Sequence, residues 1–256
     1  MIFDTHCHLN SDELYPNIEQ HILDAQKVGV KRFLVVGWDE KSSLLAIKIA
    51  EQYDCCYAAI GFHPTEIFNL KEYEIEDFFK KYANHPKVVA IGEIGLDYHW
   101  VKEEDKRKLQ KEYFKKQIKL ANFYKLPICI HNRDAISDCL EVLKECPPLY
   151  KGIMHCYSGS SEMLNDFMNL GLYISLGGPV TFTNAKTPKE VAQDTPLNRL
   201  LIETDCPYLS PHPLRGTINV PKNIALVLDM IASLRSEGKK HIEDILYKNA
   251  CELFHV

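Results

Sequence analysis

Eight short apolar runs, each followed by a stretch of helical periodicity, constrain this chain more than any other feature. The runs are Ile2–Thr5, Arg32–Val36, Tyr57–Gly61, Val88–Gly92, Pro127–Ile130, Gly152–Met154, Leu172–Leu176 and Leu200–Glu203. Helical segments cover about 17–28, 42–53, 74–84, 103–125, 134–145, 160–170, 187–194 and 220–236, with a short terminal helix from about 241. Asp39 reads as the N-cap of the second helix. Strands that alternate with helices pair in parallel through right-handed crossovers. Eight such units in 256 residues, with no linker, repeat or composition break, predict one (β/α)8 TIM-type barrel over residues 1–256. The competing doubly wound sheet lacks its signature, since no GxGxxG follows an early strand.

Composition narrows the class further. An apolar fraction of 46% is that of a globular protein, and no apolar run approaches the roughly 18–20 residues of a membrane helix. The N-terminus shows no basic region ahead of a long apolar core, so the reading is a cytoplasmic protein without a membrane partner. Nine cysteines without a CxxC pair read as small buried hydrophobes in a reducing compartment. With 35 acidic against 30 basic residues the net charge is −5, which argues against a protein that holds nucleic acid by a diffuse basic surface. The densest basic run, Lys106 to Lys119, carries interleaved acids and helically spaced apolar residues, the pattern of a wet helix face.

Chemistry in (β/α)8 barrels gathers at the C-terminal strand ends. Here the first strand delivers His6 and His8, whose spacing puts both imidazoles on one face while Cys7 points away. The third ends near His63, the fourth at Glu93, the fifth at His131, the sixth at His155 and the eighth at Asp205. Any one of these could be a satisfied buried residue. Six of them at one rim, with His63 close by, are costly unless paired or metal-bound, so they predict a metal centre. Four histidines and two carboxylates exceed one tetrahedral site and suit two divalent ions sharing a carboxylate. Zn, Mn or Fe fits that donor set, and Mg fits a carboxylate-richer position.

The motifs DTHCHL at 4–9, GFHP at 61–64, GEIGLDY at 92–98, IHNR at 130–133, MHCYSG at 154–159 and ETDCPYL at 203–209 span the chain in order. In them the sequence resembles the TatD family of metal-dependent deoxyribonucleases, within the amidohydrolase-like barrels. The resemblance implies a two-metal phosphodiesterase. One ion would take His6, His8, Glu93 and Asp205, the other Glu93, His131 and His155. Related barrels often bridge their ions with a carboxylated lysine. No strand end here offers a lysine, and Glu93 fills that role.

A two-ion centre generates a hydroxide nucleophile near neutral pH for in-line attack on phosphorus. Asp205 is the candidate proton acceptor beside its ligand role, and Glu93 completes the catalytic pair. His63 is expected either to meet the scissile phosphate or protonate the leaving oxygen, or else to be a loop histidine bonded to backbone. Arg133 is the candidate phosphate clamp, because its planar fork matches phosphate oxygens. The Ser158-Gly159 turn opens a helix whose free amides would receive another phosphate.

After the eighth strand some family members carry an arginine-glycine motif ending in Asn-Glu-Pro. This chain keeps Arg215 and Asn219 as candidate substrate contacts but has Val220 in place of the glutamate. The expected substrate is DNA, taken as single strands or ends, and a monomer is compatible with all of this. A two-metal amidase, deacylase or esterase for small molecules is the alternative, against which Arg133 and Arg215 argue. A non-enzymatic metal-holding scaffold predicts missing ligands, and all six are present.

Overall fold

The computed structural model describes all 256 residues. Its eight strands are β1 (Ile2–Cys7), β2 (Val30–Val36), β3 (Cys56–Ile60), β4 (Val88–Asp97), β5 (Ile128–Arg133), β6 (Gly152–Met154), β7 (Leu172–Leu176) and β8 (Leu200–Ile202). They are parallel and follow one another round the sheet in chain order. The ladder does not run between β8 and β1. That seam is closed by the His8 amide donating to Cys206 O at 2.8 Å and the Asp205 amide donating to His6 O at 2.9 Å. Thr5 Oγ1 adds a bond to Ile202 O, and Asp4 receives both the amide and the hydroxyl of Thr204. The two strand ends that carry His6, His8 and Asp205 are thereby locked together.

Nine helices surround the strands: α1 (Ile18–Lys27), α2 (Glu40–Gln52), α3 (Glu72–Tyr82), α4 (Glu104–Tyr124), α5 (Ile136–Glu145), α6 (Leu164–Asn169), α7 (Lys186–Asp194), α8 (Ile224–Leu234) and α9 (Lys239–Phe254). Asp39 caps α2 in a reciprocal box, its Oδ1 taking the Ser42 amide at 2.7 Å. On α4 the basic run pairs with neighbouring helices: Lys116 with Glu72 and Glu76, Lys111 with Asp138. The opposite face of α4 buries Tyr113, Phe114, Ile118 and two glutamines. Gln117 bonds both backbone groups of Phe62, and Gln110 bonds Asp97 and Pro64, so α4 pins the loops after β3 and β4.

Several boundaries differ from the sequence reading, most of all in β4, β5, α6 and α9. β4 and β5 run on past their apolar stretches, pairing Gly95 with His131 and Asp97 with Arg133 beyond a bulge. Polar residues in the extended part hid it from a hydrophobic pattern. The segment at about 160–170 is a 3-10 turn (Ser161–Met163) followed by only six residues of α6. The terminal helix is not short: α9 has 16 residues. Its end inserts Ala250, Leu253 and Phe254 against Phe3, Leu34, Val89, Ile153, Tyr173 and Leu201, the side chains that fill the barrel interior. Phe254 and Phe3 rings meet at 5.6 Å, so α9 plugs the N-terminal mouth and leaves the other end open.

Candidate metal centre

At that open end Glu93 is the hub. Its Oε2 lies 3.6 Å from His6 Nε2 and 3.8 Å from His8 Nε2, while Asp205 Oδ1 lies 3.7 and 3.5 Å from the same two nitrogens. The two imidazole nitrogens are 3.2 Å apart. Donors bound at about 2.0–2.2 Å round one ion would stand roughly 3.3–3.6 Å apart, so His6, His8 and Glu93 are spaced to hold one, with Asp205 beside both imidazoles. The other oxygen, Oε1, faces His131 Nδ1 at 2.7 Å, His155 Nε2 at 3.5 Å and His63 Nε2 at 3.9 Å. Glu93, His131 and His155 thus form a second donor group, with space on its cleft side for a further ligand.

The rings are held from behind, as ligating imidazoles are. His8 donates from Nδ1 to Val36 O at 3.0 Å, leaving Nε2 for the centre. His155 donates from Nδ1 to Glu203 Oε1 at 2.9 Å, and the Cys156 amide donates to the same oxygen at 2.8 Å. His6 Nδ1 rests 3.2 Å from the Cys129 thiol. His131 Nε2 meets Asp97 Oδ2 at 3.1 Å. Glu203 is fully buried, and its Oε2 has no partner. A buried carboxylate oxygen left bare is costly unless positive charge stands close by.

The electrostatics are those of a site prepared for cations. Burial opposes charge on Glu93, yet its bonds to His131 and His6 hold its pKa well below the usual carboxylate range. Asp205 is also lowered against its burial, by His155 and His8. Burial likewise opposes the imidazolium of His155, but Glu203 and Asp205 outweigh it and raise its pKa to about 10. Cation binding there must release a proton. His63 goes the other way: burial and the neighbouring His131 push it down to about 3. Its Nδ1 accepts the Thr65 amide at 3.2 Å, which assigns the ring proton to Nε2, the nitrogen facing Glu93. Asp205 itself has a left-handed backbone (φ 54°), a conformation a non-glycine residue keeps only where its surroundings impose it. The bonds from its amide to His6 O and from the Tyr208 amide to its carbonyl do so.

Above these groups opens a cleft of about 760 Å³. Arg133 and Ser158 line it, together with Trp38, Trp100 and Tyr208. Three expected substrate contacts do not. Asn219 is fully buried, and its Nδ2 donates to Thr204 O and Tyr208 O, so it braces the loop that carries Asp205. Gly159 packs on the Tyr157 ring, and the short α6 offers no helix end of the expected kind. Arg215 lies on the Phe182 ring at 4.2 Å, outside the cleft lining. Of the two arginines set against a neutral substrate, only Arg133 borders the site.

Glu203 and Asp97 were not singled out from the sequence, although both stand inside the motifs. Glu203 precedes Asp205 by two positions, the strand spacing that returns a side chain to the same face. Nothing local marks Asp97 as the partner of His131.

The TatD related DNase family matches residues 3–255. The chain is 46% identical over 257 residues to the uncharacterized metal-dependent hydrolase YabD of Bacillus subtilis, covering all of both chains. The crystal structure of YjjV, a TatD homolog from Escherichia coli, superposes with a TM-score of 0.93 at 30% identity, covering 100% of this chain and 98% of that one. An organophosphorus hydrolase from Deinococcus radiodurans shares the fold alone, with a TM-score of 0.67 at 11% identity over 99% of this chain and 92% of its own. A family match that spans nearly every residue, and a relative alike from end to end at almost half its positions, make this chain a member of the TatD family of metal-dependent hydrolases.

Proposed function

We propose that this hydrolase cleaves phosphodiester bonds in DNA, acting on single strands or strand ends with two divalent ions. The observation that carries the reading is the sharing of Glu93 between two donor groups beneath a cleft bordered by an unpaired Arg133. His6, His8, Glu93 and Asp205 would hold one ion, and Glu93, His131 and His155 the other. When bound, such ions neutralise phosphate charge and make water a nucleophile near neutral pH. The chain's own groups do the rest. Arg133 makes no ion pair within the protein, so its fork is available to a phosphate oxygen. Asp205, ionised and at the cleft floor, accepts the proton of the attacking water. Neutral His63 presents Nε2–H to the cleft, 3.9 Å from Glu93 Oε1, where it would donate to the leaving oxygen.

The test uses purified protein, end-labelled single-stranded DNA, and Mg, Mn or Zn with an EDTA control. Metal-dependent shortening that disappears in Asp205→Asn supports the reading, and the product ladder tells end-wise from internal cutting. Glu93→Ala is expected to lose both ions and all measurable cleavage. A metal-replete, active Glu93→Ala protein would overturn the shared-carboxylate scheme. Two bound ions with no DNA cleavage would favour an amidase, deacylase or esterase acting on a small molecule.

A further inference from the structure

Large aromatic side chains border the cleft, and one of them is largely exposed to solvent. Trp38 and Tyr208 stand edge-on to His8, at 5.3 and 5.9 Å between ring centroids. Across the floor, Trp100 lines the cleft with 67% of its surface exposed. Exposing an indole to water is unfavourable, and its position beside the candidate site gives that exposure a use.

Its backbone, unlike its side chain, is firmly held. The Trp100 amide donates to Asp97 Oδ1 at 2.8 Å, while Asp97 Oδ2 holds His131 Nε2 at 3.1 Å. One carboxylate therefore fixes Trp100 relative to the second donor group. The Arg133 guanidinium stands 5.8 Å over the Trp100 ring, and the His99 ring abuts the indole edge-on at 4.9 Å. His99 is in turn 3.3 Å from Asp134. The result is a largely exposed indole with a guanidinium over its ring, tied through Asp97 to the candidate centre.

We propose that Trp100 is the stacking platform for the nucleobase next to the scissile phosphate, with Arg133 taking that nucleotide's phosphate. This rests on the DNA reading above and adds the residues that grip the strand. Indole stacking accepts any base face, and a base inside a closed duplex has none free. The platform therefore selects an unpaired nucleotide and is tolerant of sequence.

The experiment measures equilibrium binding of holoenzyme to a phosphorothioate-linked trinucleotide carrying terminal 2-aminopurine, whose fluorescence is quenched on stacking. Cleavage kinetics on the ordinary oligonucleotide run in parallel. Trp100→Ala is expected to weaken binding about tenfold, remove the quench and raise KM, with kcat within about twofold and metal content unchanged. Trp100→Phe should restore binding to within about threefold. Arg133→Ala should keep the quench and reduce the salt dependence of binding by about one phosphate contact. If wild type cleaves DNA while Trp100→Ala keeps both quench and KM, the platform is overturned and the nuclease reading stands. If wild type neither binds nor cleaves, both fall.

Discussion

Asp4 is buried completely, two residues before His6 on β1, and both of its oxygens meet Thr204. Burial raises its pKa from 3.8 to about 8, against the opposing Thr204 bonds. Between those values the folded chain keeps a proton that the unfolded chain has released. Its contribution to stability is thus complete below the unfolded pKa and declines as pH rises towards the folded one, by up to about 1.4 kcal/mol per pH unit. Asn at this position imitates the neutral acid, its Oδ1 accepting the Thr204 amide and its Nδ2 donating to Thr204 Oγ1, whose hydroxyl then turns from donor to acceptor. Asp4→Asn is therefore expected to flatten the pH dependence of urea unfolding between about pH 5 and 8. An unchanged slope in the variant would show that Asp4 is ionised in the fold.

Among the elements, β4 carries the most constraint. It must pass a bulge and still pair with β5, so that Glu93 and His131 come to 2.7 Å. Gly95 allows this. Its φ is +146°, and a Cβ there would stand 2.0 Å from His131 O. Gly95→Ala would force the two strands apart beside the contact of Glu93 Oε1 with His131. The expected cost is about 2–4 kcal/mol, read in urea titrations, with loss of metal at the Glu93–His131–His155 group by elemental analysis. Wild-type stability and metal stoichiometry in that variant would mean that the pairing has slack the geometry does not suggest.

At the scale of the molecule, the two ends of the barrel have separate duties. α9 seals the N-terminal mouth through Phe254, 3% exposed and in contact with Phe3. The donor groups and the cleft occupy the opposite end, in keeping with the usual division in barrels of this kind. Phe254→Ala should cost about 3–5 kcal/mol and lower the melting temperature while leaving bound metal per folded chain unchanged. A variant that lost metal without losing stability would show that the two ends are coupled.

The alternation of eight apolar runs with helical segments dictates the barrel from the sequence alone, because hydrophobic period is a local property that a chain cannot disguise over so many units. The six candidate donors stood out in the sequence for a related reason: each interrupts or follows an apolar run, where a polar residue has no role in the core. What the linear pattern could not carry is partnership. Glu203 and Asp97 matter through His155 and His131, which lie 48 and 34 positions away. Asn219 and Arg215 sit in a loop after β8, yet burial ties one to backbone and stacking turns the other onto Phe182. The continuation of β4 and β5 through polar residues, and the length of α9, also depended on neighbours supplied by the closed barrel. Sequence determined which residues could do chemistry; only tertiary packing decided which of them face the cleft and which hold the others in place.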